Sequence, residues 1–339
     1  MIRSIIPSIL LLCVLLRPDS ARGQAPPDTT HCSIESAAPW IERWFDAWDL
    51  TSRRILKLEA APPPYLVLYD NHCVYTTSAV TAGGAPAMAG PAFQGTSLPW
   101  RAIAHDDSIR LPDSTRVAVQ LMTFAGGNER TGIFFVMGSP PFWVDAGHGK
   151  EPGLTAVFLH EFAHTRQIPG MAHVIGPLDS AWSFPEPLSD DVVQARFGKD
   201  SLYVAAYQAE RDLIYRAAET ASIDSARTMA AEALAMMRAR HARWFTGIDS
   251  VFAPLDAAFL SLEGAGQWTG HAWLAHPDGG GLTRQEAIDK ISGRRRWWSQ
   301  DEGLGLFLLI DRLVPDWPSM VFRVPSADSI ELLERATRK

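Results

Sequence analysis

The chain has 339 residues, of which 47% are hydrophobic and 20% charged, and it carries a net charge of −7. That is ample for a sizeable core, built as one large domain or two small ones. The mild acidity argues against nucleic-acid binding, which favours a concentrated basic face; the sharpest basic run, Arg294-Arg295-Arg296, leads into Trp297-Trp298 and reads as surface over buried aromatics.

The N-terminus has the form of an export signal spanning 1–25. Met1-Ile2-Arg3 supplies the positive end, residues 4–16 are apolar, and small residues follow at Ala21 and Gly23 for cleavage. The apolar run is too short to span a bilayer comfortably, and no later stretch is long and apolar enough. The expected mature protein is secreted or periplasmic, with no integral membrane segment. Removing the signal discards Cys13 and leaves Cys32 and Cys73. In an oxidising compartment these two are expected to pair.

After a short Pro-containing linker, residues 36–58 read as a helix, with Trp40, Ile41, Trp44, Phe45, Trp48 and Leu56 recurring near a 3.6-residue period. A β-rich stretch follows, with strands expected at 65–77, 116–124 and 131–137 and a long Gly/Ala/Pro-rich loop at 79–99. From Pro152 the pattern turns helical. A first helix, ending before Pro169-Gly170, is followed by a Pro/Gly-rich excursion over 168–188. Helices are then expected at 202–221, 226–245 and 255–274, and Ser299-Gln300-Asp301-Glu302 has the form of a capping box for a last core helix through Leu313. The fold class is therefore α+β: a β-rich part over 26–150, then a mainly helical part over 151–339. The apolar strand 131–139, just before the first helix of the second part, is either an edge strand able to pair with an extended substrate or simply a buried strand.

That first helix carries the pentapeptide His160-Glu161-Phe162-Ala163-His164. Histidines four apart on a helix stand one turn above each other, so both imidazoles can bind one Zn²⁺. Glu161 is then placed to take a proton from water activated by the metal. Catalytic zinc takes three protein ligands. His173 follows Pro169-Gly170, and Glu186 lies between Pro185 and Pro187, where no helix could present it. Two glutamates on apolar helical faces remain. Glu263 has Phe259, Leu260, Gly266 and Gln267 around it, and Glu210 has Ala206, Tyr207, Leu213, Ile214 and Ala217. A buried carboxylate needs a cation or hydrogen bonds, so each is a candidate ligand; Glu219 is a weaker third. Whichever is not a ligand is expected to pair with an arginine such as Arg238, Arg240 or Arg243. For the group that holds the developing oxyanion, His271, His276, Tyr203, Tyr207 and Tyr215 are candidates among which the sequence does not choose.

With Leu262-Glu263-Gly264-Ala265-Gly266-Gln267-Trp268 added, the chain resembles the gluzincin metallopeptidases, whose His-Glu-x-x-His helix is followed by a helix of the form Glu-Gly-x-Ala-x-aromatic. The resemblance rests on these two motifs and on the order of elements. Gly266 stands where the family has alanine, and the long spacing from His164 makes 202–245 an insertion. It implies a zincin-like fold, Zn²⁺ held by His160, His164 and Glu263 (alternatively Glu210), Glu161 as general base, and a peptide or protein substrate. The competing expectations are a non-catalytic zincin-like binding domain and a zinc hydrolase of non-peptide amides or esters.

Overall fold

The computed structural model describes residues 32–147, 149–185, 187–292 and 296–338. The expected signal, and Glu186, Arg294 and Arg295, lie outside the described residues. Helix α1 (Ile34–Asp49) starts at Ser33, whose side chain accepts from the Glu35 amide, and it buries Trp40, Ile41, Trp44, Phe45 and Trp48 along one face. It runs into a π-helical turn at Leu50–Ile55. The Cys32–Cys73 disulfide forms as expected and ties the start of α1 to the sheet.

The strands are β1 (Tyr65–Tyr69), β2 (Cys73–Thr76), β3 (Arg101–Ala104), β4 (Ser108–Arg110), β5 (Arg116–Ala118), β6 (Thr123–Asn128) and β7 (Gly132–Gly138). Five form one sheet in the order β3-β2-β1-β7-β6, antiparallel except for the parallel pair β1–β7; β4 and β5 form a separate ribbon. Successive side chains of β7 point to opposite faces. Phe134 and Val136 pack with Ile109, Leu111 and Met122, whereas Phe135 and Met137 pack with the tryptophans of α1. Burial on both faces explains why β7 is continuously apolar. It also corrects the expectation of an edge: the strand at 131–139 is interior, and the edge position before the motif helix belongs to β6.

Beyond α2 (Pro140–Asp145) comes α3 (Gly153–Ser180), which carries the pentapeptide. It does not stop at Pro169-Gly170 but continues through Pro169 and Pro177 for 28 residues. The Ser326 amide donates to the Gly170 carbonyl, so a tertiary contact supports the helix where the sequence signals a stop. His173 consequently lies on α3, exposed. Phe158 stacks on Trp44 with ring centroids 4.8 Å apart, and Phe162 meets Trp48 edge-on.

The helical half comprises α4 (Val192–Phe197), α5 (Ser201–Glu219), α6 (Ile223–Trp244), α7 (Phe252–Ala275), α8 (Arg284–Ile291), α9 (Trp298–Leu313), α10 (Trp317–Val321) and α11 (Ser329–Thr337). The central α7 is apolar all round and packs between α3 and α9. It can lie close to α9 because Gly264 faces Gly303: a Cβ on Gly264 would meet the Gly303 carbonyl oxygen at 2.6 Å. The expected capping box at 299–302 is not formed. Ser299 to Glu302 lie inside α9, whose first residue follows an uncapped Trp297, and a capping box is instead found at Thr283 and Glu286 on α8. No helix among the described residues is long and apolar enough to cross a membrane.

Candidate metal centre

His160 and His164 face α7 because an apolar stripe, Phe158, Phe162 and Ala163 among it, turns the opposite side of α3 toward α1 and the sheet. Their Nε2 atoms converge to 3.1 Å. From α7, Glu263 brings Oε2 to 3.2 Å from His160 Nε2 and Oε1 to 3.4 Å from His164 Nε2. Glu161 stands beside the pair, with Oε1 3.9 Å from His160 Nε2. His160, Glu161 and His164 form a buried group able to hold a metal ion; Glu263 approaches His160 more closely than Glu161 does. All four are enclosed: His160 and Glu161 are 3% exposed, His164 and Glu263 0%.

The spacing suits a bound cation: with one ligand atom from each, His160, Glu161 and His164 lie within 4.8 Å of one another, and Glu263 turns a different carboxylate oxygen toward each imidazole. The protonation states fit as well. Burial drives the imidazoles neutral, holding His160 down to about 3 and His164, despite the carboxylate of Glu263, to about 4. Neutral imidazole is the metal-binding form. His164 Nδ1 lies 2.9 Å from Gln167 Oε1, and the Gln167 amide in turn donates to the Ser261 carbonyl of α7. Because the amide oxygen can only accept, Nδ1 carries the proton and Nε2 presents its lone pair to the centre.

Two features near the centre were not anticipated. Gln300 on α9 donates to Glu263 Oε2 at 3.1 Å. Asp190 and Asp191, just before α4, bring further carboxylates close: burial first, then the charges of Asp190 and Glu263, push Asp191 up to about 8. Gln167 was discoverable from its place one turn beyond His164. Gln300 and the aspartates carry no sequence signal, since only the fold brings their segments to Glu263.

The rival Glu210 is elsewhere. It accepts two hydrogen bonds from Arg240, each 2.9 Å, and both side chains are buried. Arg240 also reaches Asp256 at 3.0 Å and Glu302 at 3.7 Å. Glu219 is exposed at the end of α5. Of the oxyanion candidates, Tyr203 is engaged by Arg240, Tyr207 lies near the Trp298 carbonyl, and Tyr215 donates to the Asp301 carbonyl. His271 is buried in α7, where burial and then Arg284 hold it down to about 4; His276 is half-buried just beyond that helix. The chain matches no protein-family profile, no curated protein and no solved structure.

Proposed function

We propose that the chain is an exported zinc-dependent metallopeptidase of gluzincin type. The observation that carries this reading is the convergence of the two imidazoles and the Glu263 carboxylate in one buried group, with the Glu161 carboxylate alongside. His160 and His164 would hold Zn²⁺ through Nε2, and Glu263 through its carboxylate. Zinc bound there would supply a Lewis acid that polarises a carbonyl and lowers the pKa of water, so that water can give up a proton and act as nucleophile near neutral pH. Glu161 accepts the proton of the attacking water at its carboxylate and returns it to the departing amine. Gln167 keeps His164 in the tautomer that leaves Nε2 available. The disulfide supports export to an oxidising compartment.

Enclosure of the four residues favours a second reading, in which the metal is structural and the domain binds a partner without turnover. Glu161 separates the two, because a structural site has no need of a base. In Glu161→Gln, zinc content should match the parent while cleavage of an unbiased peptide library falls by at least 10²-fold. Undiminished cleavage in that variant would exclude Glu161 as the base. A zinc-loaded parent that cleaves no peptide would favour the structural reading, and one that instead hydrolyses simple esters or amides would indicate a non-peptide hydrolase.

A further inference from the structure

The carboxylate of Glu263 is held from behind by a hydrogen-bonded pair of glutamines on two different helices. Gln300 Nε2 donates to Glu263 Oε2 at 3.1 Å, and Gln267 Nε2 donates to Gln300 Oε1 at 3.0 Å. Gln267 follows Glu263 by one turn of α7, so the Gln300 side chain from α9 bridges two points on the same face of its neighbour. The orientation of the Gln300 amide is fixed by chemistry: its NH₂ must face the carboxylate, since the alternative would set an amide oxygen against an anion. Its oxygen then faces Gln267, which has an N–H to give. The oxygen that Gln300 grips is the one lying 3.2 Å from His160 Nε2.

We propose that Gln300 is the positioning residue for the third metal ligand, acting through Glu263 and itself locked by Gln267. Glu is a long side chain with several rotatable bonds, and here its two carboxylate oxygens stand toward different imidazoles. A donor fixed to one oxygen removes the rotamers that would carry it away from His160 and leaves the carboxylate arranged for a cation before the cation arrives. Outer partners of this kind typically contribute 10–100-fold to metal affinity. The close crossing of α7 and α9 at Gly264 and Gly303 brings the Gln300 side chain within reach. Gln300 thus takes this role from within a segment whose Ser299–Glu302 spacing suggests only a helix start.

This inference rests on the metal reading, and one experiment tests the two apart. Gln300→Met keeps the length and bulk of the side chain and deletes the donor. Zinc affinity is measured for parent and variant by competition with a chromophoric chelator, alongside the absorption bands of the Co²⁺-loaded proteins. The expected result is zinc bound about 10–100-fold more weakly by Gln300→Met, with shifted cobalt bands. Gln267→Met, which leaves Gln300 present but unlocked, should shift both readouts the same way by a smaller factor, and it serves if Gln300→Met does not fold. Parent-like affinity and cobalt spectrum in the folded variants would overturn the role of Gln300 while leaving the metal centre intact. A parent chain that takes up neither metal would overturn both.

Discussion

The helical half buries two clusters of charge-bearing side chains. At the candidate metal centre, Glu263 faces two neutral imidazoles and the amide of Gln300. In the second cluster, Glu210 and Asp256 close on the guanidinium of Arg240, with Glu302 at its edge. Burial works to raise the Asp256 carboxyl, but Arg240 and His241 outweigh it, so Asp256 stays ionised below the usual carboxylate range. Glu302 goes the other way: burial, then the neighbouring charge of Glu210, push its carboxyl well above the usual range. The Arg240 guanidinium thus meets three acidic side chains of the protein itself. The two clusters show that a glutamate on an apolar helical face has no fixed role; the element packed opposite decides it.

Exchanging glutamate for glutamine in each cluster should expose that difference most strongly. Glu210→Gln breaks a fully buried ion pair and should cost about 3–5 kcal/mol of stability with zinc content unchanged. Glu263→Gln should leave the metal-free protein within about 1 kcal/mol of the parent, as glutamine fits the same neighbours without charge, and should abolish stoichiometric zinc. Urea unfolding of the metal-free proteins, paired with zinc analysis, reads both. Loss of zinc on changing Glu210, or its retention on changing Glu263, would reverse the assignment of the two clusters.

This pair also marks how far the sequence could be read. The helix bearing the pentapeptide, the later helices and the candidacy of Glu263 and Glu210 follow from residue type and period, because periodicity is local. Choosing between the two glutamates needs to know that α6 brings Arg240 to one and that α3 brings imidazoles to the other, which is long-range information. The same limit explains the errors elsewhere. The run Ile133 to Met137 reads as a buried strand, yet whether it lies at an edge depends on β6 pairing beside it. Pro169-Gly170 signals a helix end by local chemistry, and residues near 326, far along the chain, override it. Ser299 and Glu302 match a capping box in spacing but are needed inside α9, where Glu302 meets the Arg240 cluster.

Acid should test the metal centre by a smaller margin. Burial holds His160 to about 3 and His164 to about 4, so between pH 6.5 and 5 the unfolded chain binds protons that the folded chain refuses. Stability contributed by the neutral imidazoles is complete above the unfolded value of 6.5 and is lost as pH falls toward the folded values. The loss over that interval amounts to about 2 kcal/mol per histidine in metal-free protein. His160→Gln/His164→Gln should reduce the dependence by about that amount, while His271, also held down by burial, keeps a share of it. A parent slope equal to that of the double variant would mean that the imidazoles are solvated.

The finest test bears on Gly266, where the gluzincin motif that this segment resembles has alanine. A Cβ there would lie 3.0 Å from His160 Cε1 and Nδ1 and from His164 Cε1. The imidazoles therefore rest directly on the backbone of α7, and the missing methyl group is what lets Glu263 and the two histidines come together. Gly266→Ala should raise intrinsic helix propensity by about 1 kcal/mol and yet weaken zinc binding about tenfold, ~1.4 kcal/mol, by pushing the rings off their places. The two effects have opposite signs and separate readouts, metal-free unfolding for the first and chelator competition for the second. The same substitution should leave the ion pairs of Arg240 with Glu210 and Asp256 untouched. Zinc affinity unchanged in Gly266→Ala would show that the rings can yield by the few tenths of an ångström required, and that the glycine serves helix packing alone.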